Sequence, residues 1–372
     1  MTLDWRDSRE EYRWLGAICA LTAVTFAIAY VAGNAAGLVT LRAIWLYMKA
    51  IFWFGPMVLF FAAIPLVIAA LVMRVPNPLG RIAAFFKAHY GSPALAAAAI
   101  APILIVPVMM GAFGILKMIM PLSRAFTWDD WLANADKMLF LGYQPWQFTH
   151  ALFGGAWATN FIDVSYTLWV ASVFGAVLYF ALAAPRHERA QFFLSFTASW
   201  LLIGVLGAYA FASAGPCYTA AIGAASAIDF QPLMAKLKAM HEGGTFLAAY
   251  DWQGVLWDHH VNRKYAFAMG ISAMPSMHNA ITLLYALALR RAPRPVRLLG
   301  WAFVALIFIG SIHLGWHYAV DGIAAGLMMW GIWLAAGAYL DRVGYTEALR
   351  RRRAGQAAEP DAPDLAPEPV AI

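Results

Sequence analysis

The sequence has little charge and little cysteine, and it lacks the glycine-rich loops that hold nucleotides. Only 12% of its 372 residues are charged, against about 25% in average soluble proteins, and 62% are hydrophobic. The two cysteines, Cys19 and Cys217, neither suggest a disulfide framework nor make a metal site. We find no Rossmann or P-loop signature and no internal repeat. These absences argue against a soluble nucleotide-binding enzyme, and the low charge indicates an integral membrane protein.

Eight apolar runs approach the length of about 20 residues that crosses a hydrocarbon core of about 30 Å. They cover residues 14–34, 51–73, 94–120, 161–183, 192–214, 276–290, 298–316 and 320–340. The sequence therefore predicts an all-α fold, a polytopic membrane helix bundle with about eight transmembrane helices. We divide it into an N-terminal two-helix region, 1–93, a larger membrane domain, 94–340, and a disordered cytoplasmic tail, 341–372, which is rich in Ala, Pro, Glu and Asp toward its end.

The positive charges between the runs indicate how the chain is oriented. They lie before the first run, in alternate loops and after the last run, at Arg6, Arg9, Arg13, Arg74, Arg81, Lys87, Arg186, Arg189, Arg290, Arg291, Arg294, Arg297, Arg342 and Arg350 to Arg353. The positive-inside rule makes these segments, and so both termini, cytoplasmic. The net charge of +6 then reports orientation rather than binding to nucleic acid. Segments 121–160 and 215–275 fall on the opposite face. The first, rich in Trp, suits an interfacial helix, with a re-entrant loop as the alternative.

Ionisable residues inside the later apolar runs point to a site. His317 and Asp321 are four residues apart, so on an α-helix they would share a face, about 6 Å apart along the axis. A carboxylate there can accept a hydrogen bond from one ring nitrogen and leave the other as a nucleophile. His313 lies one turn earlier. Two alternatives stay open, which are a polar helix contact without chemistry and a metal site to which His278 adds a ligand.

Two further stretches carry groups that suit a phosphate. Pro275-Ser276-Met277-His278 enters the sixth run, where a helix start offers N–H groups to an anion, Ser276 adds a donor, and a protonated His278 can protonate a leaving oxygen. Lys117 and Arg124, at the outer end of the third run, offer cations to phosphate oxygens. The predicted topology brings all of these residues to the outer face.

Together, Lys117-x6-Arg124, Pro275-Ser276-Met277-His278 and Ser311-x5-His317-x3-Asp321 resemble the three motifs of the type 2 phosphatidic acid phosphatase (PAP2) superfamily over residues 94–340. The resemblance implies a six-helix catalytic core, a phosphohistidine intermediate, and neither a metal nor another cofactor. It makes His317 the nucleophile, Asp321 the residue that orients it and His278 the acid. The implied phosphate cradle is Lys117, Arg124 and Ser276.

Two departures from the motifs bear on the substrate. Ala125 follows Arg124 where the superfamily usually has proline, and Ser311 stands where it has a phosphate-binding arginine. With Ala214-Gly215-Pro216 upstream, the pattern is similar to the branch that contains the aureobasidin-sensitive inositol phosphorylceramide synthases. A phosphodiester carries one negative charge and a monoester about −1.5 to −2, so the loss of one arginine suits a diester. A protonated His313 would partly replace that arginine.

We therefore expect transfer of a phosphorylated head group, with phosphoinositol as one candidate, from a glycerophospholipid to a lipid alcohol such as ceramide or diacylglycerol. Membrane lipids and the bilayer are the expected partners, without nucleic acid, and the expected location is a bacterial inner membrane with the site outside. One alternative is a lipid phosphate phosphatase that acts on phosphatidic acid or polyprenyl phosphate. Another is a non-catalytic lipid transporter, because buried ionisable residues also line transport paths.

The loop charges predict the side from which introduced cysteines can be labelled. After replacement of Cys19 and Cys217, a cysteine near Pro293 should react only with reagent added to the cytoplasmic side, and one near Gly244 only from outside. Labelling of both positions from the same side would contradict the eight-span topology.

Overall fold

The structure is a computed structural model that describes residues 5–42, 44–50, 90–264 and 269–358, with residues 53, 55, 77 and 80. Every regular element in these ranges is a helix, and none is a strand. The helices are α1 Trp5–Ala35, α2 Pro93–Ser123, α3 Asp129–Leu139, α4 Pro145–Phe153, α5 Ala156–Leu182, α6 Arg186–Ser199, α7 Ala227–Glu242, α8 Ala248–Val261, α9 Met277–Ala288, α10 Arg294–His313, α11 Ala319–Arg342 and α12 Tyr345–Ala358. A π-helical segment, Trp200–Gly207, and a short turn, Ala208–Ala210, extend α6.

Six described helices are long and apolar enough to cross a membrane, which confirms an all-α membrane bundle. They are Glu10–Ala35, Pro93–Ser123, Ala156–Leu182, Arg186–Ala210, Arg294–His313 and Ala319–Arg342. They correspond to the first, third, fourth, fifth, seventh and eighth predicted runs. The second, 51–73, lies outside the described residues except at positions 53 and 55. The eight-span count and the orientation of the termini stay predictions.

The sixth predicted run forms a helix that is too short to span alone. α9 has 12 residues and is apolar, so at about 1.5 Å per residue it is roughly 18 Å long, against a hydrocarbon core of about 30 Å. Ser276 caps its start, and the Ala292-Pro293 turn follows its end. α9 packs against α6, α10 and α11, so its polar first turn lies inside the bundle.

The two long segments between spans are folded. Segment 121–160 contains the short helices α3 and α4, and segment 215–275 contains α7 and α8. α3 has one buried face, formed by Asp129, Leu132, Ala133 and Asp136 at positions i, i+3, i+4 and i+7. This face packs onto the start of α11, which brings α3 close to the loop that precedes it.

The tail prediction is wrong for residues 345–358, which form α12 instead of a disordered segment. The reason is a buried anchor at the start of the helix. The Tyr345 hydroxyl donates to Glu11 at 3.0 Å, and Glu11 also accepts from the Arg186 guanidinium at 2.6 Å. These bonds join α12 to α1 and α6. Residues 359–372 lie outside the described part of the chain.

Candidate active site

A cavity of about 510 Å³ lies between α2, α5, the π-helical segment, α8 and the loop before α9. Its volume is in the usual range of ligand pockets, about 300 to 1,000 Å³. Most of its wall is aromatic or aliphatic, from residues that include Phe113, Tyr166, Trp169, Phe174, Trp200, Tyr218, Trp252 and Trp316. Three predicted site residues also line it, which are Lys117, His278 and His317. One residue from each of the three sequence motifs therefore lies at this cavity.

The position of His317 is set by a tight turn between α10 and α11. The backbone N–H groups of Trp316 and His317 both donate to the Ser311 carbonyl at 3.0 Å, and Gly315 supplies the positive φ of +74° that the turn needs. The His317 Nδ1 atom is 3.0 Å from the Ala273 carbonyl. Because a carbonyl only accepts hydrogen bonds, Nδ1 carries the proton and Nε2 keeps its lone pair. Burial lowers the pKa of His317 to about 3, with Lys117 adding to the effect, so the ring is neutral.

Asp321 contributes less to the orientation of His317 than the motif implies. Its Oδ2 is 3.4 Å from Nδ1, a longer contact than that to Ala273, and it accepts from the Tyr318 N–H at 3.1 Å. The two residues do not share a helix face, because α11 begins at Ala319, after His317. Asp321 therefore caps the first turn of α11 and lies beside the ring rather than serving as its main acceptor.

His278 lies in the first turn of α9, next to His317. The two ring centroids are 5.7 Å apart. On its other sides, the His278 ring stacks on Tyr166 at 4.7 Å and contacts Trp169 at 4.0 Å. These aromatic contacts limit the directions in which the ring can face. The structure thus brings two histidines and Lys117 to one apolar cavity.

Ser276 does not belong to the cavity wall, contrary to the implied phosphate cradle. Its side chain is fully buried and accepts from the Asn279 N–H at 3.4 Å and from the Asn279 side-chain amide at 3.0 Å. Ser311 is also buried, donating to the Phe308 carbonyl at 2.8 Å. Both side chains therefore make hydrogen bonds within the protein, to Asn279 and to Phe308, rather than facing the cavity.

The expectation that His313 replaces the missing arginine is wrong. His313 is fully buried and stacks on His150 with ring centroids 3.8 Å apart. Its Nε2 lies 3.0 Å from the Thr159 hydroxyl, and its Nδ1 lies 3.2 Å from the Thr149 hydroxyl. Both ring nitrogens therefore join α10 to α4 and α5, and the residue does not line the cavity. The described residues contain no group of three or more metal-binding side chains, so His313 does not join His278, His317 and Asp321 in a metal site.

Arg124 is likewise separated from Lys117. A spacing of seven would place both residues on one face of a continuous helix, but α2 ends at Ser123. Arg124 follows with an extended backbone, φ −137° and ψ 114°, and its side chain is exposed. Lys117 is therefore the only lysine or arginine among the described residues of the cavity wall, and that wall contains no carboxylate.

Sequence reasoning missed two buried aspartates on α3. Asp136 accepts from the Ala319 and Val320 N–H groups at 2.8 and 2.9 Å, and Asp129 accepts from the Tyr318 hydroxyl at 2.9 Å. Burial raises the pKa of Asp136 to about 7, against the lowering effect of its two N–H donors, and burial also raises the pKa of Asp129. The sequence did contain a signal for their burial, since the two aspartates lie on the same helix face as the apolar residues Leu132 and Ala133.

A sequence model of the PAP2 superfamily matches residues 130–335, more than half of the chain. The chain belongs to the PAP2 superfamily. Neither a curated protein nor a solved structure matches it. Members of this superfamily are generally phosphatases or phosphotransferases, which supports an enzyme of that broad kind. The matched range contains both cavity histidines but begins after Lys117 and Arg124.

The placement of the two cations predicts different effects of their removal. Lys117→Met should lower kcat/KM for a phospholipid roughly ten-fold to a hundred-fold, because a charge-assisted hydrogen bond contributes about 1.5–3 kcal/mol. Arg124→Met, the matched control, should leave kcat/KM unchanged because its side chain is exposed and outside the cavity. Equal losses in the two variants would show that Arg124 reaches the substrate.

Proposed function

We propose that this enzyme transfers a phosphorylated head group from a glycerophospholipid to a lipid alcohol, with His317 as the nucleophile. Phosphoinositol is the candidate head group and ceramide or diacylglycerol the candidate acceptor. The observation that carries the proposal is the cavity-lining His317, whose Nδ1 is committed to Ala273 and whose ring lies 5.7 Å from His278. The loop charges support a site on the non-cytoplasmic face, and the proposed location is a bacterial inner membrane.

In the first step, the His317 Nε2 lone pair attacks the phosphorus of the donor lipid. A P–N bond forms as the bond between phosphorus and the glycerol oxygen breaks. His278, in its protonated form, gives its proton to that oxygen, so diacylglycerol leaves as an alcohol. The positive charge that develops on His317 is shared with Nδ1–H, which donates to the Ala273 carbonyl. The head group is then held as a phosphohistidine.

In the second step, the hydroxyl oxygen of the acceptor lipid attacks the same phosphorus. Its proton passes to His278, which the first step left neutral, and the P–N bond breaks to restore neutral His317. Water in place of the acceptor would give hydrolysis, so transfer and phosphatase activity share one intermediate. The largely apolar wall supports a lipid acceptor, since it buries the body of a lipid alcohol and admits little water.

The charge of the cavity supports a diester donor. Lys117 is the only lysine or arginine in the described wall, Arg124 is exposed, and Ser311 occupies the position where the superfamily has an arginine. One cation can neutralise the single negative charge of a diester, whereas a monoester near neutral pH carries about −1.5 to −2. A second charge on the substrate would enter an apolar cavity without a partner, which is costly.

Removal of either histidine tests the proposed mechanism. His317→Ala and His278→Ala should each abolish turnover while the protein remains folded in detergent. Because a nucleophile and its acid act together, the double variant should be scarcely slower than either single one. Labelled phosphate from the donor should be retained on a histidine only while His317 is present. Wild-type turnover in His317→Ala would contradict the mechanism. Absence of any labelled histidine in the wild type would instead favour a non-catalytic transporter.

The donor preference tests the charge argument. In the wild type, kcat/KM should be higher for phosphatidylinositol or another diester than for phosphatidic acid, by about ten-fold or more if one unpaired charge decides it. Products should be resolved by mass spectrometry, with and without ceramide or diacylglycerol. Faster release of inorganic phosphate from phosphatidic acid than any head-group transfer would favour the phosphatase instead.

A further inference from the structure

α3 lies outside the cavity, yet its two buried carboxylates bind the segments that hold the nucleophile. Asp136 takes the N–H groups of Ala319 and Val320 on separate oxygens, at 2.8 and 2.9 Å. These are the first two residues of α11, and they follow His317 by two and three positions. The first N–H groups of a helix have no partner within the helix, so Asp136 supplies from another helix what a local cap usually supplies.

Asp129 acts on the other side of His317 through a short chain of contacts. It accepts from the N–H groups of Ala214 and Gly215, at 2.9 and 2.8 Å, as well as from the Tyr318 hydroxyl. The preceding residue, Ser213, then binds the segment that precedes α9. Its carbonyl accepts from the Ala273 N–H at 2.9 Å, and its hydroxyl accepts from the Met274 N–H at 3.0 Å.

That chain ends on the catalytic ring, because the Ala273 carbonyl accepts from His317 Nδ1. Asp136 thus fixes the backbone that follows His317. The imidazole ring of His317 is held by the Ala273 carbonyl, whose position depends on Asp129. Both aspartates are almost fully buried, with 2% and 1% of Asp129 and Asp136 exposed. A carboxylate at such a place loses its hydration, which is offset only by bonds of good geometry.

We propose that α3 is a positioning element of the active site, and that Asp136 and Asp129 are positioning residues that hold His317 in line with the phosphorus atom. This inference rests on the proposed role of His317 as the nucleophile. A displacement of about 1 Å in a reacting group can cost about a hundred-fold in rate. Loss of the Asp136 bonds should therefore reduce the rate of the chemical step more than substrate binding, since Lys117 and the apolar wall remain.

The chain offers a matched control on the same helix. Asp130 binds the Ala225 and Ser226 N–H groups at 3.2 and 2.8 Å, just before α7 begins. It uses the same chemistry as Asp136, but no described residue of α7 lines the cavity. Asp130→Asn therefore removes a comparable bond without touching the segments that hold His317.

The experiment compares wild type, Asp136→Asn, Asp136→Glu and Asp130→Asn in detergent. Hydrogen exchange should accelerate at residues 319–320 in Asp136→Asn, and only at residues 225–226 in Asp130→Asn. With a diester donor, Asp136→Asn should lower kcat about ten-fold to a hundred-fold with little change in KM. Asp136→Glu, which keeps the carboxylate, should retain more turnover. Asp130→Asn should keep the wild-type kcat.

Orthovanadate provides a readout that does not depend on the donor lipid, because its five-coordinate adduct with a histidine nitrogen imitates the transferring phosphorus. It should bind Asp136→Asn more weakly than wild type by about the same factor as the loss in kcat. Faster exchange at 319–320 with unchanged kcat and vanadate affinity would overturn the positioning role. If Asp136→Asn does not fold, Asp136→Glu takes its place. The positioning role would then be overturned by altered exchange at 319–320 in Asp136→Glu together with a wild-type kcat. A wild type that neither turns over a phospholipid nor binds vanadate would instead refute the proposed function.

Discussion

Buried carboxylates that bind backbone N–H groups of other helices are the interaction on which the loops of this protein depend. Buried Asp129 and Asp136 hold the segments described above, and buried Asp163 in α5 holds the Ala248 and Ala249 N–H groups at 2.7 and 2.8 Å. Asp130 makes the same kind of contact from a half-buried position. A chain with so little charge has few other groups that can satisfy the free N–H groups at helix starts. Leaving such a group unpaired in a buried position costs about 1–3 kcal/mol. Each aspartate thus determines where a distant segment begins.

This arrangement separates the work of the helices from that of the loops. The long apolar helices supply much of the cavity wall, and the segments held by the aspartates flank His317, which lies beside His278 in that wall. The π-helical segment contributes Gly204 to the wall, where a Cβ would lie 2.8 Å from the Phe113 ring. Because Gly204 has no side chain, the Phe113 ring can pack against the π-helical segment at this point of the wall. A mostly apolar wall that also carries Lys117, His278 and His317 fits the proposed lipid donor, whose head group carries the reacting phosphate.

What could be predicted from the sequence was the part encoded locally. Apolar length predicted the spanning helices, and the histidine motifs predicted that His278 and His317 lie close together, as they do in the cavity wall. The predicted site residues that do not line the cavity depend on contacts or helix ends that spacing does not encode. Arg124 is exposed because α2 ends at Ser123, and His313 stacks on His150, which no spacing around His313 indicates. Asp136 binds residues far along the chain, so its partners leave no periodic signal in the sequence.

The electrostatics of the cavity link substrate binding to the proposed chemistry. The described wall contains Lys117 and two histidines but no carboxylate, so a proton on His278 has no counter-charge among the residues of that wall. An anionic phosphate beside Lys117 and His278 supplies that charge and favours protonation of His278 at the step that needs an acid. In the proposed complex, His278 rather than His317 takes this proton. The Nδ1 atom of His317 already carries a proton that it donates to the Ala273 carbonyl, and its Nε2 atom faces phosphorus. The proposed division of roles between the two histidines then rests on a backbone carbonyl. Ala273, which carries this carbonyl, is bound by Ser213, and the residues after Ser213 are bound by Asp129.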